Sequence, residues 1–160
     1  MNQFRRILSL SVLTAAIAAT GLAQAADFEA RTVKFPSASN KGHPQVLGVE
    51  KFAELMAKKT NGKFKVQAFP GGALGPDLQT VSAMQGGTVE MTVMNASLLA
   101  GVSKEMAIFD FPFMFNNTRE ADAVSDGPVG QKLLEKLQEK GLVGLAYWDL
   151  GFRQVHRSEE

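Results

Sequence analysis

The chain has 160 residues, 45% of them hydrophobic and 21% charged, and a formal net charge of +1. That apolar content supports one packed core and excludes wholesale disorder, and glycine and proline recur without the period of a collagen-like chain. The near-neutral balance lacks the basic excess of a nucleic-acid binder, and the absence of cysteine excludes a disulfide framework, a thiol nucleophile and a cysteine metal site.

Met1–Ala25 reads as an export signal. Arg5 and Arg6 form a positive start, Ile7–Leu22 an uncharged apolar run, and Ala23-Gln24-Ala25 a small-x-small cleavage pattern. Ser9, Ser11, Thr14 and Thr20 interrupt the run, whereas a membrane-spanning helix needs about 20 more uniformly apolar residues. The expected division is a signal peptide at 1–25, cleaved after Ala25, and an exported domain over 26–160.

Alternation at Val33 and Phe35 predicts a first strand over Arg31–Phe35, followed by a polar turn through Gly42. Pro44 suits a first helical position. Val46, Val49, Phe52, Ala53 and Met56 recur at helical spacing, with Lys58 and Lys59 late, where the helix dipole favours cations. Asn61-Gly62 stops this helix. Phe64–Phe69 alternates as a half-buried strand. After the Pro70–Pro76 loop a helix is expected from Pro76 to Gln85, then a strand over Val89–Met94. The run Phe109–Phe115 reads as a hydrophobic groove or a core segment, with core favoured because aromatic residues mostly bury for packing. Asn117 is placed to cap a short helix with Glu120 as its box partner. A longer helix is expected over Val129–Lys140 and a last strand over Leu142–Trp148. This alternation of strands and helices argues an α/β layer fold with a largely parallel sheet and flanking helices.

Catalytic signatures are few. The histidines are His43 and His156, without metal-ligand spacing. His43, beside Pro44 at a helix start, reads as a cap or turn residue. No Gly-x-Ser-x-Gly elbow occurs, and Gly71, Gly72 and Gly75 lack the spacing of a phosphate loop. No nucleophile, base or metal can be named, and no cofactor is implied. A binding module remains. In open α/β sheets ligands bind beyond the carboxyl ends of strands. Asn95-Ala96-Ser97 and the Ser37–Asn40 turn occupy such positions, each also readable as an ordinary turn. Trp148 ends the last expected strand, and Arg153 follows Gly151-Phe152 where the chain leaves it. An arginine there can clamp a carboxylate with two parallel hydrogen bonds, or form a surface salt bridge.

Several segments then align in order: Val33-Lys34-Phe35, His43-Pro44, Phe52-Ala53, Gly62-Lys63, Phe69-Pro70-Gly71-Gly72-Ala73-Leu74-Gly75 and Gln85-Gly86-Gly87-Thr88-Val89-Glu90-Met91. Phe111-Pro112-Phe113-Met114-Phe115, Tyr147-Trp148 and Gly151-Phe152-Arg153-Gln154 continue the series. Each is weak alone, but their order and spacing are specific. Together they resemble the solute-binding subunits of tripartite ATP-independent periplasmic (TRAP) transporters, the DctP-like family.

The resemblance implies an exported, non-enzymatic protein of two α/β lobes in the periplasm. Such a protein traps a small organic acid in its cleft and delivers it to a two-component membrane permease driven by an ion gradient. It further implies that the chain carries the first lobe of a two-lobed periplasmic binding protein-like fold, the second lobe lying beyond Glu160. By position, Arg153 matches the ligand-facing arginine of the family's Gly-x-Arg segment. Asn95 matches a ligand-contacting position, and Ala38 a first-loop position that is often polar in relatives. Trp148 borders the cleft. Leu98 stands where sialic-acid binders carry arginine, which argues against that ligand. A periplasmic binding protein serving a sensor is the alternative, with an exported enzyme a third.

Overall fold

The computed structural model describes residues 29–152. The expected signal at 1–25, Arg153 and His156 lie outside the described residues.

Strand β1 (Arg31–Pro36) follows the alternation in its sequence, with Val33 and Phe35 buried and Thr32 and Lys34 exposed. Helix α1 (Pro44–Lys59) begins at His43, whose Nδ1 accepts the Gln45 N–H at 3.2 Å. That bond satisfies one of the orphan donors of the first turn, so the capping role of His43 is as expected. Thr60 closes the helix. Its buried hydroxyl donates to the Met56 carbonyl at 2.7 Å and accepts the Phe64 N–H at 2.9 Å. One side chain therefore ends α1 and starts β2 (Phe64–Phe69). Between them, Asn61 and Gly62 take the left-handed conformation that reverses the chain. The strands β1 and β2 pair in parallel, Val33 opposite Val66 and Phe35 opposite Ala68. Helix α1 is the crossover and packs against β2.

Helix α2 (Asp77–Gln85) starts one residue after the expected position, with Pro76 as its N-cap. The chain then departs from expectation. Val89–Met94 forms no strand, although it runs beside β1. The Met91 N–H reaches the Lys34 carbonyl at 3.2 Å, but the Lys34 N–H donates to the Glu90 carboxylate at 2.8 Å instead of to a ladder carbonyl. The Thr92 hydroxyl bonds the Pro36 carbonyl at 3.2 Å. Side chains thus take places that a sheet would give to main-chain groups. Two 3₁₀ helices, Ala96–Gly101 and Lys104–Asp110, follow and were not signalled by periodicity.

The aromatic run is a second correction. Phe111 and Met114 are exposed and Phe113 is fully so, which rules out a core segment. The chain turns there, with Phe113 at a φ of 60°, and a turn cannot hold successive rings against one core. Phe109 alone of this run joins the core's margin, its ring against Tyr147 at 5.1 Å.

Helix α3 (Thr118–Ser125) carries the expected cap: the Glu120 N–H donates to Asn117 Oδ1 at 3.0 Å. The reciprocal bond comes from one residue earlier, the Asn116 N–H to the Glu120 carboxylate at 3.0 Å. Helix α4 (Pro128–Lys136) tightens into a 3₁₀ turn over Leu137–Lys140 and stops at left-handed Gly141. Val81, Met106, Leu133, Leu134, Leu137 and Leu142 form a core beneath α2, the second 3₁₀ helix and α4. Tyr147 donates its hydroxyl to the Gly130 carbonyl at 3.0 Å, and its partial burial raises its pKa further above neutrality. The expected strand Leu142–Trp148 forms no ladder, and its Val143 and Leu145 are exposed. The α/β class holds, with a two-stranded parallel sheet and flanking helices. Among the described residues no helix is long and apolar enough to cross a membrane.

One ion pair ties the second 3₁₀ helix to α4. Lys136 donates to the Glu105 carboxylate, which also accepts the Ser103 hydroxyl at 2.9 Å. The Lys136 bond, then a main-chain bond and the Ser103 bond, hold the Glu105 carboxyl down to about 2 against an ordinary 4.5. A depressed carboxylate pKa gives stability that is complete above the unfolded value and lost as pH falls through the folded one. Glu105→Gln should therefore lower the melting temperature slightly at neutral pH. The gap from the parent should close as pH falls from 4.5 towards about 2. A gap independent of pH in circular-dichroism melts would remove the linkage. The pair is solvent-exposed, so the effect is small.

Candidate functional site

Parallel pairing brings the carboxyl ends of β1 and β2 to one edge. Two loops leave there and are stitched together. The Gly71 N–H donates to the Ser39 carbonyl at 2.8 Å and the Gly72 N–H to the Ser37 carbonyl at 3.0 Å. Gly71, Gly72 and Gly75 all have positive φ, so the loop needs residues without a Cβ. The buried Ser37 accepts the Ser39 N–H on its hydroxyl at 3.2 Å. Ala38 is exposed between the two serines and offers this edge only main-chain polar groups.

The segment beside β1 runs in the same direction as the strand, meeting Lys34 at Met91 and Pro36 at Thr92. Asn95, three residues further, therefore lies past the end of β1. It precedes the first 3₁₀ helix without a side-chain cap bond, and its carboxamide has no partner among the described residues. The sequence expectation put Asn95 at a strand end; the edge position holds although the strand does not.

Trp148 reaches the same layer from the far end of the chain. Its ring packs at a tilt on Phe35, centroids 6.3 Å apart, and Phe35 in turn meets Phe52 edge-on at 5.9 Å. The indole lies over Gly48 of α1, where a Cβ would stand 2.9 Å from its ring. It remains 40% exposed, so one part is seated and another is open.

Gln45 was missed in the sequence. It is 7% exposed, in the first turn of α1. Gln45, Gly48, Val49 and Phe52 share one face of the helix, which places Gln45 one turn from the Trp148 seat towards the strand ends. A polar residue in phase with an apolar stripe at a helix start was the available signal.

The edge offers neutral donors and acceptors, an aromatic surface and a helix start. His43 has its Nδ1 committed to the cap. Among the described residues no three acidic, histidine or cysteine groups gather to hold a metal. An open depression lined by Glu29, Ala30, Arg31 and Phe64 lies at the opposite ends of the strands, away from these groups.

Residues 35–160 match the bacterial extracellular solute-binding proteins of family 7, DctP. The chain belongs to this family. It is 33% identical to the 2,3-diketo-L-gulonate-binding periplasmic protein YiaO of Escherichia coli over 153 residues, which is 94% of this chain and 47% of that protein. A TRAP periplasmic solute-binding protein from Ochrobactrum anthropi, solved with its C-terminus in the ligand-binding pocket, superposes with a TM-score of 0.76. The two are 55% identical over 78% of this chain and 39% of that one. The sugar acid-binding protein DctPAm of Advenella mimigardefordensis, in complex with galactonate, gives 0.77 at 41% identity over 79% of this chain and 41% of that one. The chain spans less than half the length of these DctP-family relatives.

Within this DctP-family chain, Gly48 can be tested directly. Alanine normally gains about 1 kcal/mol over glycine inside a helix. Here the added Cβ must push the Trp148 ring aside. Gly48→Ala should leave the far-ultraviolet spectrum unchanged but shift the fluorescence of Trp148, the only tryptophan of the 160 residues. Unaltered emission would show that the ring does not rest on Gly48.

Proposed function

We propose that this chain forms the opening part of an exported solute-binding protein, released into the periplasm by cleavage after Ala25. In this reading the protein captures a small organic acid and delivers it to a two-component TRAP permease. It binds without chemical conversion, as befits a family of solute-binding proteins. The observation that carries the reading is the edge of parallel strand ends, where Asn95 presents a carboxamide without a partner among the described residues and Trp148 a half-open ring. Galactonate in DctPAm and 2,3-diketo-L-gulonate for YiaO support an acid as the ligand class.

In this proposal Arg153 grips the carboxylate. Asn95 donates to a carboxylate or hydroxyl oxygen, Trp148 packs on the carbon skeleton, and Ala38 contributes main-chain groups while leaving room. Arginine suits the grip because its planar fork forms two charge-assisted bonds at once.

The test is calorimetric titration of the full natural protein with D-galactonate, 2,3-diketo-L-gulonate and succinate, with D-galactose as an uncharged control. An acid should bind and galactose should not. Arg153→Ala should weaken the binding acid by about 1.5–3 kcal/mol, the range for hydrogen bonds to charged groups. Equal binding of galactose, or full affinity in the variant, would defeat the carboxylate grip.

A further inference from the structure

We propose that Gln45 is a ligand-contacting residue, its carboxamide N–H donating to an oxygen of the bound acid. The inference rests on the reading of this edge as an acid site and adds a residue to it.

Gln45 is 7% exposed, yet only half of its carboxamide is used. Its Oε1 accepts the Ser39 hydroxyl at 2.6 Å, across the turn that follows β1. With Oε1 turned to Ser39, Nε2 is the outward end of the amide. The Nε2 group has no acceptor among the described residues. No fully enclosed side-chain nitrogen or oxygen is left unbonded in the described fold, so Nε2 opens onto the surface instead of into the core. Nε2 therefore keeps access to solvent while the rest of the side chain is buried, and a ligand oxygen can take the place of water there.

Position supplies the rest. Gln45 sits in the first turn of α1, a helix of 16 residues whose start faces the strand ends. The helix dipole favours an anion there. His43 takes up the Gln45 N–H for the cap, leaving the side chain as the outward donor. Ser37 and Ser39, which hold the turn, are themselves tied to Gly72 and Gly71 of the neighbouring loop. The donor is thus held by Ser39 on one side and by the helix on the other, a fixed geometry that needs no ordering on binding.

Three variants of the full natural protein test this, titrated with D-galactonate, 2,3-diketo-L-gulonate and succinate. Gln45→Glu keeps the shape and the acceptor for Ser39 but replaces the donor with a charge that repels an acid. It should weaken the binding acid by more than about tenfold, the scale of one lost hydrogen bond to a charged group. Gln45→Met keeps the bulk without a donor and should weaken it less. Ser39→Ala frees the amide to turn and should weaken it least. The melting temperature of unliganded Gln45→Met should stay close to the parent's. A lowered melting temperature with unchanged affinity would mean a structural residue and overturn the proposal. A parent that binds an acid while both Gln45 variants match it would overturn the Gln45 role alone. A parent that binds none of the three acids would overturn the acid site and the Gln45 role together.

Discussion

Two parallel strands can be joined only by a segment that carries the chain back from the end of the first to the start of the second. In this protein α1 makes that return. Its start is therefore forced to the edge where β1 and β2 end, together with the turn before it and the loop after β2. This geometry follows from topology, before any side chain is considered. It places main-chain donors, a helix start and two polar loops on one side of the sheet, and it explains why site candidates from distant parts of the sequence meet there.

What topology collects, a few small contacts hold in place. Thr60 links the end of α1 to the start of β2 through one hydroxyl, so the crossover cannot slide along its axis without losing two bonds. Gly71 and Gly72 bond the turn after β1 and keep both loops at fixed separation. Gly48 lets an indole approach the helix more closely than any larger residue would allow. The Trp148 ring then bridges α1 and β1, and residues some hundred positions apart become one surface. These contacts are local in size and long in reach, and hydrophobic burial alone would not specify them.

The same contrast governs what was legible in the sequence. β1, α1 and β2 were readable because each carries its own period, its own stop and, for α1, its own cap at His43. Asn117 and Glu120 announced α3 for the same reason, since a capping box is satisfied within one turn. Val89–Met94 and Leu142–Trp148 have the apolar composition of strands, but a strand exists through a hydrogen-bonded neighbour, which composition cannot supply. Glu90 even occupies the Lys34 N–H that such a neighbour would need. The run from Phe109 to Phe115 was misread because composition argues for burial, whereas a turn at Phe113 decides direction. Of the proposed site, Asn95 was reachable from its place after a strand-like segment, and Ala38 only through the family resemblance. Gln45 was not, because its neighbours in phase are apolar and its value lies in one bond to Ser39.

The electrostatic character of the edge has its own logic. The side chains named at this edge are neutral, serines, asparagine and glutamine, with Lys41 exposed in the turn after β1. A lone buried cation would suffer a heavy desolvation penalty whenever the site stood empty. Neutral donors fixed by their own partners avoid that penalty and still point positive dipole ends towards an anion. In the proposed reading Arg153 supplies the charge that pairs with the acid. Selectivity falls to the neutral groups, since a fixed donor without its acceptor forfeits a hydrogen bond with every ligand that lacks the matching oxygen. In that proposal the arginine selects for an acid and the neutral donors select among acids.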